Sequence, residues 1–179
     1  MFKRIFITLL AAVLAFGGYV AMQPPEFKVE RSAVMAATPA AVFEHINVLK
    51  KWQAWSPWAK KDPNAKATFE GPSAGKDAVM GWSGNEDVGE GKMTITESKP
   101  SEVIRFRLDF VKPFQGTSEG GFTLKPQGDK TSVTWALSGE QGFLERAICL
   151  LMGLNMDKMI GTDYEAGLAN LKAIVEGRT

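Results

Sequence analysis

Residues 102–110, EVIRFRLDF, decide the fold class of this chain. Ile104, Phe106, Leu108 and Phe110 fall on one side of an extended backbone, and Arg105, Arg107 and Asp109 on the other. That period of two is the mark of an antiparallel strand with one buried and one wet face. Outward in both directions the pattern repeats. Met93 and Ile95 precede it, while Phe122 and Leu124, then Val133, Trp135 and Leu137, follow it. Turn chemistry separates the runs at Gly71-Pro72, Gly84-Asn85, Lys99-Pro100 and Gly128-Asp129. The stretch from 65 to 138 is therefore a meander of strands with one apolar face, and that face needs a cover.

The cover lies at the C-terminal end. Ile160, Tyr164, Leu168, Leu171 and Val175 recur at helical spacing, and Gly177 follows as a stop. Gly167 sits on the same apolar side, where glycine costs about 1 kcal/mol relative to alanine. Its presence there predicts a close approach of helix to sheet. Residues 147–154 are apolar on all sides and too short to span a bilayer, which predicts a lid or short buried helix.

Upstream, FKVERSAVM (27–35) reads as an edge or half-exposed strand. Thr38 and Pro39 then open a helix, because the threonine oxygen satisfies a free amide and proline has none to lose. Val42, Phe43 and Ile46 form its inner face, and Leu49 and Trp52 extend the pattern. In WQAWSPW (52–58), Pro57 predicts a helix stop, leaving Trp58 in a loop beyond it. Lys50, Lys51, Lys60 and Lys61 flank these tryptophans. Packing for Trp52 and Trp55, a cavity mouth at Trp58, and an interfacial patch beside a membrane are the three readings of the run.

Residues 5–22 carry no charge and follow Lys3 and Arg4, so residues 1–22 are expected to form a signal anchor or transmembrane helix. Cleavage near Ala15-Phe16-Gly17 is the alternative. Retained lysine and arginine on the cytoplasmic side would send the rest of the chain to the periplasmic or extracytoplasmic side of a bacterial inner membrane. Residues 23–26 are a linker, and 27–177 make one domain.

With Lys+Arg 21 against Asp+Glu 20 and no basic stripe, nucleic acid is not an expected partner. One histidine, His45, and one cysteine, Cys149, rule out a histidine cluster and an internal disulfide. No metal or other cofactor is expected. GPSAGKD (71–77) is one residue short of a phosphate loop and has Asp77 where a magnesium-binding hydroxyl belongs, so it is read as a turn.

ERSAVMAATPAAVFEHI, WQAWSPWAKKDP, GEGKMTITESKPSEVIRFRLDF and MDKMIGTDYEAGLANLKAI together resemble the START-like SRPBCC superfamily of polyketide cyclases and lipid-transfer domains, and most of all its membrane-anchored bacterial members. The resemblance implies an α+β helix-grip fold, in which a curved antiparallel sheet wraps a long C-terminal helix with a hydrophobic cavity between them. On that basis Trp55, Trp58, Met80, Trp82, Met93, Phe106, Leu108, Phe122, Trp135, Met159 and Tyr164 are expected to line a site for a hydrophobic or amphipathic small molecule, such as a lipid or polyketide. Cyclases of this superfamily orient their substrate with polar groups in the cavity, often an arginine. Here Arg105 and Arg107 alternate away from the apolar face, which counts against a cyclase. Asp163, Tyr164 and Glu119 remain as candidate acids or bases, but no poised pair is visible and no catalytic residue is assigned. Three functions stay open: a tethered binding domain, a cyclase/dehydrase-like enzyme using the same cavity, and a structural envelope protein without a ligand.

Overall fold

The strand at 102–110 becomes β5 (Val103–Lys112), the middle strand of seven in a computed structural model that describes residues 1–178. The sheet order is β1-β7-β6-β5-β4-β3-β2, with β1 at Glu26–Met35, β2 at Lys66–Glu70, β3 at Val79–Ser83, β4 at Glu90–Lys99, β6 at Gly116–Gln127 and β7 at Lys130–Glu140. Every pairing is antiparallel. β1 bonds to β7 alone, which makes it the edge strand its half-polar sequence predicts.

Register brings the apolar residues of adjacent strands onto one face. Phe106 lies opposite Ile95 on β4 and opposite Gly120 on β6. Gly120 is small for a steric reason, since a Cβ there would come within 2.5 Å of the Phe106 ring. Ile104, Phe106, Phe122, Val133 and Trp135 are buried, whereas Arg105 and Arg107 are exposed on the far face. Arg107 is paired there with Asp109 at 2.9 Å.

Helix α5 (Met156–Val175) covers the buried face. Asn155 caps it by accepting the Lys158 amide at 3.0 Å, and Gly177, at φ +67°, ends it in a conformation L-residues avoid. Tyr164 stacks on Trp135 with ring centroids 3.8 Å apart, and Gly167 faces the same indole. A Cβ at 167 would meet that ring at 2.8 Å and Pro57 at 3.1 Å, the close approach that a glycine in a helix interior predicts. At the sheet edge Arg31 on β1 grips α5, reaching Glu165 at 2.6 Å and Asp157 at 2.9 Å.

Helix α2 (Pro39–Asn47) begins as expected, with Thr38 Oγ1 accepting the Ala41 amide and Pro39 in the first turn. A short 3-10 helix follows at Leu49–Ala54. Pro57 does not leave a loop behind it. It opens helix α3 (Pro57–Lys61), because the proline that ends one helix is equally suited to the first position of the next. Ser56 before it is extended at ψ 130°, the conformation the ring imposes.

Helix α1 (Phe2–Met22) is long and apolar enough to cross a membrane. Most of its side chains are exposed, but Val20 near its end is fully buried, and the helix meets α4 (Phe143–Met152) there.

Candidate functional site

Between the sheet and α5 lies a cavity of about 520 Å³. Its floor is a row of side chains on three neighbouring strands: Met80 pairs across to Met93, and Met93 to Leu108. Phe106 and Trp135 continue the floor toward β7, and Trp82 closes the β3 side, edge-on to Phe110 at 5.9 Å. Tyr164, Ile160 and Met159 form the wall from α5, Trp58 that from α3, and Ile148 and Cys149 that from α4.

The tryptophans divide by depth. Trp52 donates from Nε1 to the Ile46 carbonyl at 2.7 Å, and Trp55 to the His45 carbonyl at 3.2 Å. Both rings are turned inward by these bonds, and Asn170 on α5 holds the Trp55 carbonyl at 3.0 Å. Trp52 stands edge-on to Phe106, Phe122 and Trp135 at 5.8 to 5.9 Å and reaches the cavity. Trp55 and Phe122 do not: both are completely buried one layer behind it, Trp55 against Trp52 at 4.6 Å and Phe122 stacked on Trp135 at 4.8 Å. Strand alternation puts Phe122 on the right face but says nothing about depth, and Trp55 is drawn under Trp52 by its bond to α2. Trp58 is half-buried, between Trp135 at 6.0 Å and Tyr164 at 6.2 Å.

Of the expected wall residues, Trp58, Met80, Trp82, Met93, Phe106, Leu108, Trp135, Met159 and Tyr164 are therefore brought around one space, and Trp55 and Phe122 are not. Trp52, Phe110 and Leu137 join the wall; the last two belonged to the same alternating series and were legible there. Ile148 and Cys149, from the stretch 147–154 expected to be a lid or short buried helix, also face the space, as do Phe27 and Met156, which nothing in the local sequence marks. An interfacial patch built on WQAWSPW is contradicted. Its rings point inward, and Lys51 and Lys61 are held by Glu44 and by Asp163, the latter at 2.7 Å, while Lys60 reaches Asn170.

Polar groups on the wall are few. The Trp135 Nε1–H is buried out of reach of the open space, with the Tyr164 hydroxyl as its polar neighbour. Burial drives the Tyr164 hydroxyl well above the ordinary phenol range, so it stays protonated at any working pH. Asp163 is committed to Lys61. His45 lies away from the cavity, and burial lowers its pKa. The remaining charges on the lining stand toward the outside: Asp62, Glu86, Asp87, Glu140 and Glu145 against Lys66 and Lys112.

Residues 26–176 match the family model for polyketide cyclase / dehydrase and lipid transport. The chain belongs to this family. Among curated proteins none matches it at a significant level. Solved structures with the same fold include the Aha1 dimer from Colwellia psychrerythraea, at 14% identity and TM-score 0.57, covering 84% of this chain and 96% of that one. Another is the ginseng major latex-like protein 151 from Panax ginseng, at 12% identity and TM-score 0.59, covering 84% and 98%. A third is the di-domain ARO/CYC StfQ of the steffimycin biosynthetic pathway, at 11% identity and TM-score 0.59, covering 86% of this chain and 51% of that one. The helix-grip fold of the polyketide cyclase / dehydrase family is thus established here, with a lining suited to hydrophobic ligands.

Proposed function

We propose that this protein is a membrane-tethered binding domain that holds a hydrophobic or amphipathic small molecule between the sheet and α5. The observation that carries this reading is the cavity itself. About 520 Å³ falls in the range of small-molecule sites, roughly 300 to 1,000 Å³, and its walls are aromatic, aliphatic and methionine side chains. A space that size in a structural core would forfeit the packing that cores normally reach. The methionines add walls that adapt to ligands of differing shape. Helix α1 supplies the tether, with the domain following it on the extracytoplasmic side by the charge of Lys3 and Arg4.

The ligand's head is inferred to be uncharged. Apart from Asp163, which is paired with Lys61, five carboxylates and two lysines belong to the lining, so a free carboxylate or phosphate would meet repulsion at the mouth. The alternative, a cyclase-like enzyme, needs a poised acid–base pair inside; Asp163 is turned to Lys61 and Tyr164 is stacked on Trp135, and the two are not joined.

The test is energy transfer from the cavity tryptophans to a dansyl-labelled fatty alcohol, with the full chain in nanodiscs. Saturable transfer in the wild type, weakened at least about tenfold by filling the floor with Met80→Phe and Leu108→Phe together, supports the reading. Identical, unsaturable transfer in both proteins rejects it.

A further inference from the structure

Helix α4 carries two charged side chains, and both are used within the protein. Glu145 Oε2 accepts the Gly142 amide at 2.8 Å, closing the helix N-terminus, and Arg146 Nη1 donates to the Gln23 carbonyl just beyond α1. Apart from the cap residue Asn155, what α4 and the turn after it leave outside is apolar. Phe143, Leu144, Leu151, Met152 and Leu154 are exposed, Leu144 by 62% and Leu151 by 72%, and Met159 on the first turns of α5 extends the patch. Isolated exposed leucines need no explanation, but a contiguous run of this kind marks a surface that something covers.

Position identifies the cover. The patch begins where α1 ends: Val20 is buried, α1 packs against α4, and the Arg146 bond fixes the join. A helix long and apolar enough to cross a bilayer therefore delivers α4 to the level of the bilayer surface. The inner side of α4 belongs to the cavity, where Ile148 and Cys149 are part of the wall, and Leu154 in the turn and Met156 at the start of α5 continue it.

We propose that α4 and the α4–α5 turn seat on the lipid surface as an interfacial helix, and that the cavity loads through this wall directly from the bilayer. One face of α4 lies in the headgroup and acyl boundary while the other lines the site. An apolar ligand then passes from membrane to cavity without crossing water. This inference rests on α1 as anchor and on the cavity as a ligand site.

The test uses the full chain in phosphatidylcholine nanodiscs, in a Cys149→Ser background so that one new thiol can be labelled. A polarity-sensitive dye on Leu151→Cys should be quenched by lipids carrying a nitroxide near the headgroup, severalfold more than the same dye on Lys125→Cys, which is exposed on β6. Equal quenching at both positions overturns the proposal. Rapid disulfide formation between copies at position 151, without quenching, assigns the patch to a second copy and overturns it too.

Loading gives a second measure. Leu144→Gln with Leu151→Gln should slow transfer of the dansyl fatty alcohol from donor vesicles by about tenfold, as loss of two leucines from an apolar interface warrants, while its final saturation is unchanged. Equal rates in the variant and the wild type overturn the proposal. Release of the wild type by alkaline carbonate traces failure to the anchor, and absence of probe uptake by the wild type traces it to the cavity. Either result removes the inference with its foundation.

Discussion

Trp52 and Trp58 are six positions apart and should respond differently to the same truncation. Trp52 is 4% exposed, donates to the Ile46 carbonyl and touches four other aromatic rings, so Trp52→Ala should lower stability by roughly 3 to 5 kcal/mol. Trp58 is half-buried on a five-residue helix, and Trp58→Ala should weaken uptake of an apolar probe more than it lowers Tm. Thermal unfolding paired with probe titration checks both; a Trp58→Ala protein that unfolds like Trp52→Ala yet binds normally would make Trp58 simple core. The neighbours Phe106 and Arg107 make the same kind of contrast across one peptide bond. Phe106→Asp buries a carboxylate with no partner and should prevent stable folding. Arg107→Ala loses an exposed pair with Asp109 and should cost at most about 1 kcal/mol in chemical denaturation. Alternation made these two positions readable from sequence, because side-chain direction in a strand is fixed by parity. Depth was not readable. Trp55 and Phe122 share their faces with wall residues and differ only in what stands in front of them, which is settled by contacts with elements far away in the chain.

The elements were legible where their ends carry chemistry of their own. Thr38-Pro39 and Gly177 bound helices in the way their caps require, and the apolar face of α5 matched the face of the sheet. Pro57 was harder, because the same ring stops a helix and starts one; only the following residues settle which. Helix α4 exposes a further limit, since an apolar outer face reads alike whether protein or lipid covers it. How firmly α5 is held to the sheet edge gives a pH-dependent prediction. Glu176 Oε1 accepts the Ala36 amide at 2.7 Å, and this bond, with smaller help from Arg178 and Lys172, holds the carboxyl below the usual glutamate range. A lowered folded-state pKa means the stabilisation is present above the ordinary carboxylate value and lost as pH falls through the lowered one. Melting curves should therefore show wild type and Glu176→Gln differing near neutral pH and converging in acid. A difference that persists unchanged below about pH 3 would assign the effect to packing instead.

At the scale of the whole molecule, one sheet and one long C-terminal helix enclose the proposed ligand space, and one apolar lead helix is the proposed tether. The sheet and its cover were foreseeable from the meander of strands and the C-terminal amphipathic helix; a cavity between them was implied only by the family resemblance, and its size was not readable, because volume depends on how far α5 stands from the floor and on α4 and α3 at the rim. Membership of the polyketide cyclase / dehydrase family fixes the scaffold and leaves the cargo open, since one such fold serves many functions. The central claim is that the cavity holds an apolar molecule. Native mass spectrometry of the full chain, taken from its own membrane in nanodiscs and stripped of surrounding lipid by collision, tests it most directly. The wild type should keep one defined adduct of apolar or amphipathic mass that the Met80→Phe, Leu108→Phe protein lacks; a bare chain, or the same adducts on both proteins, would contradict it.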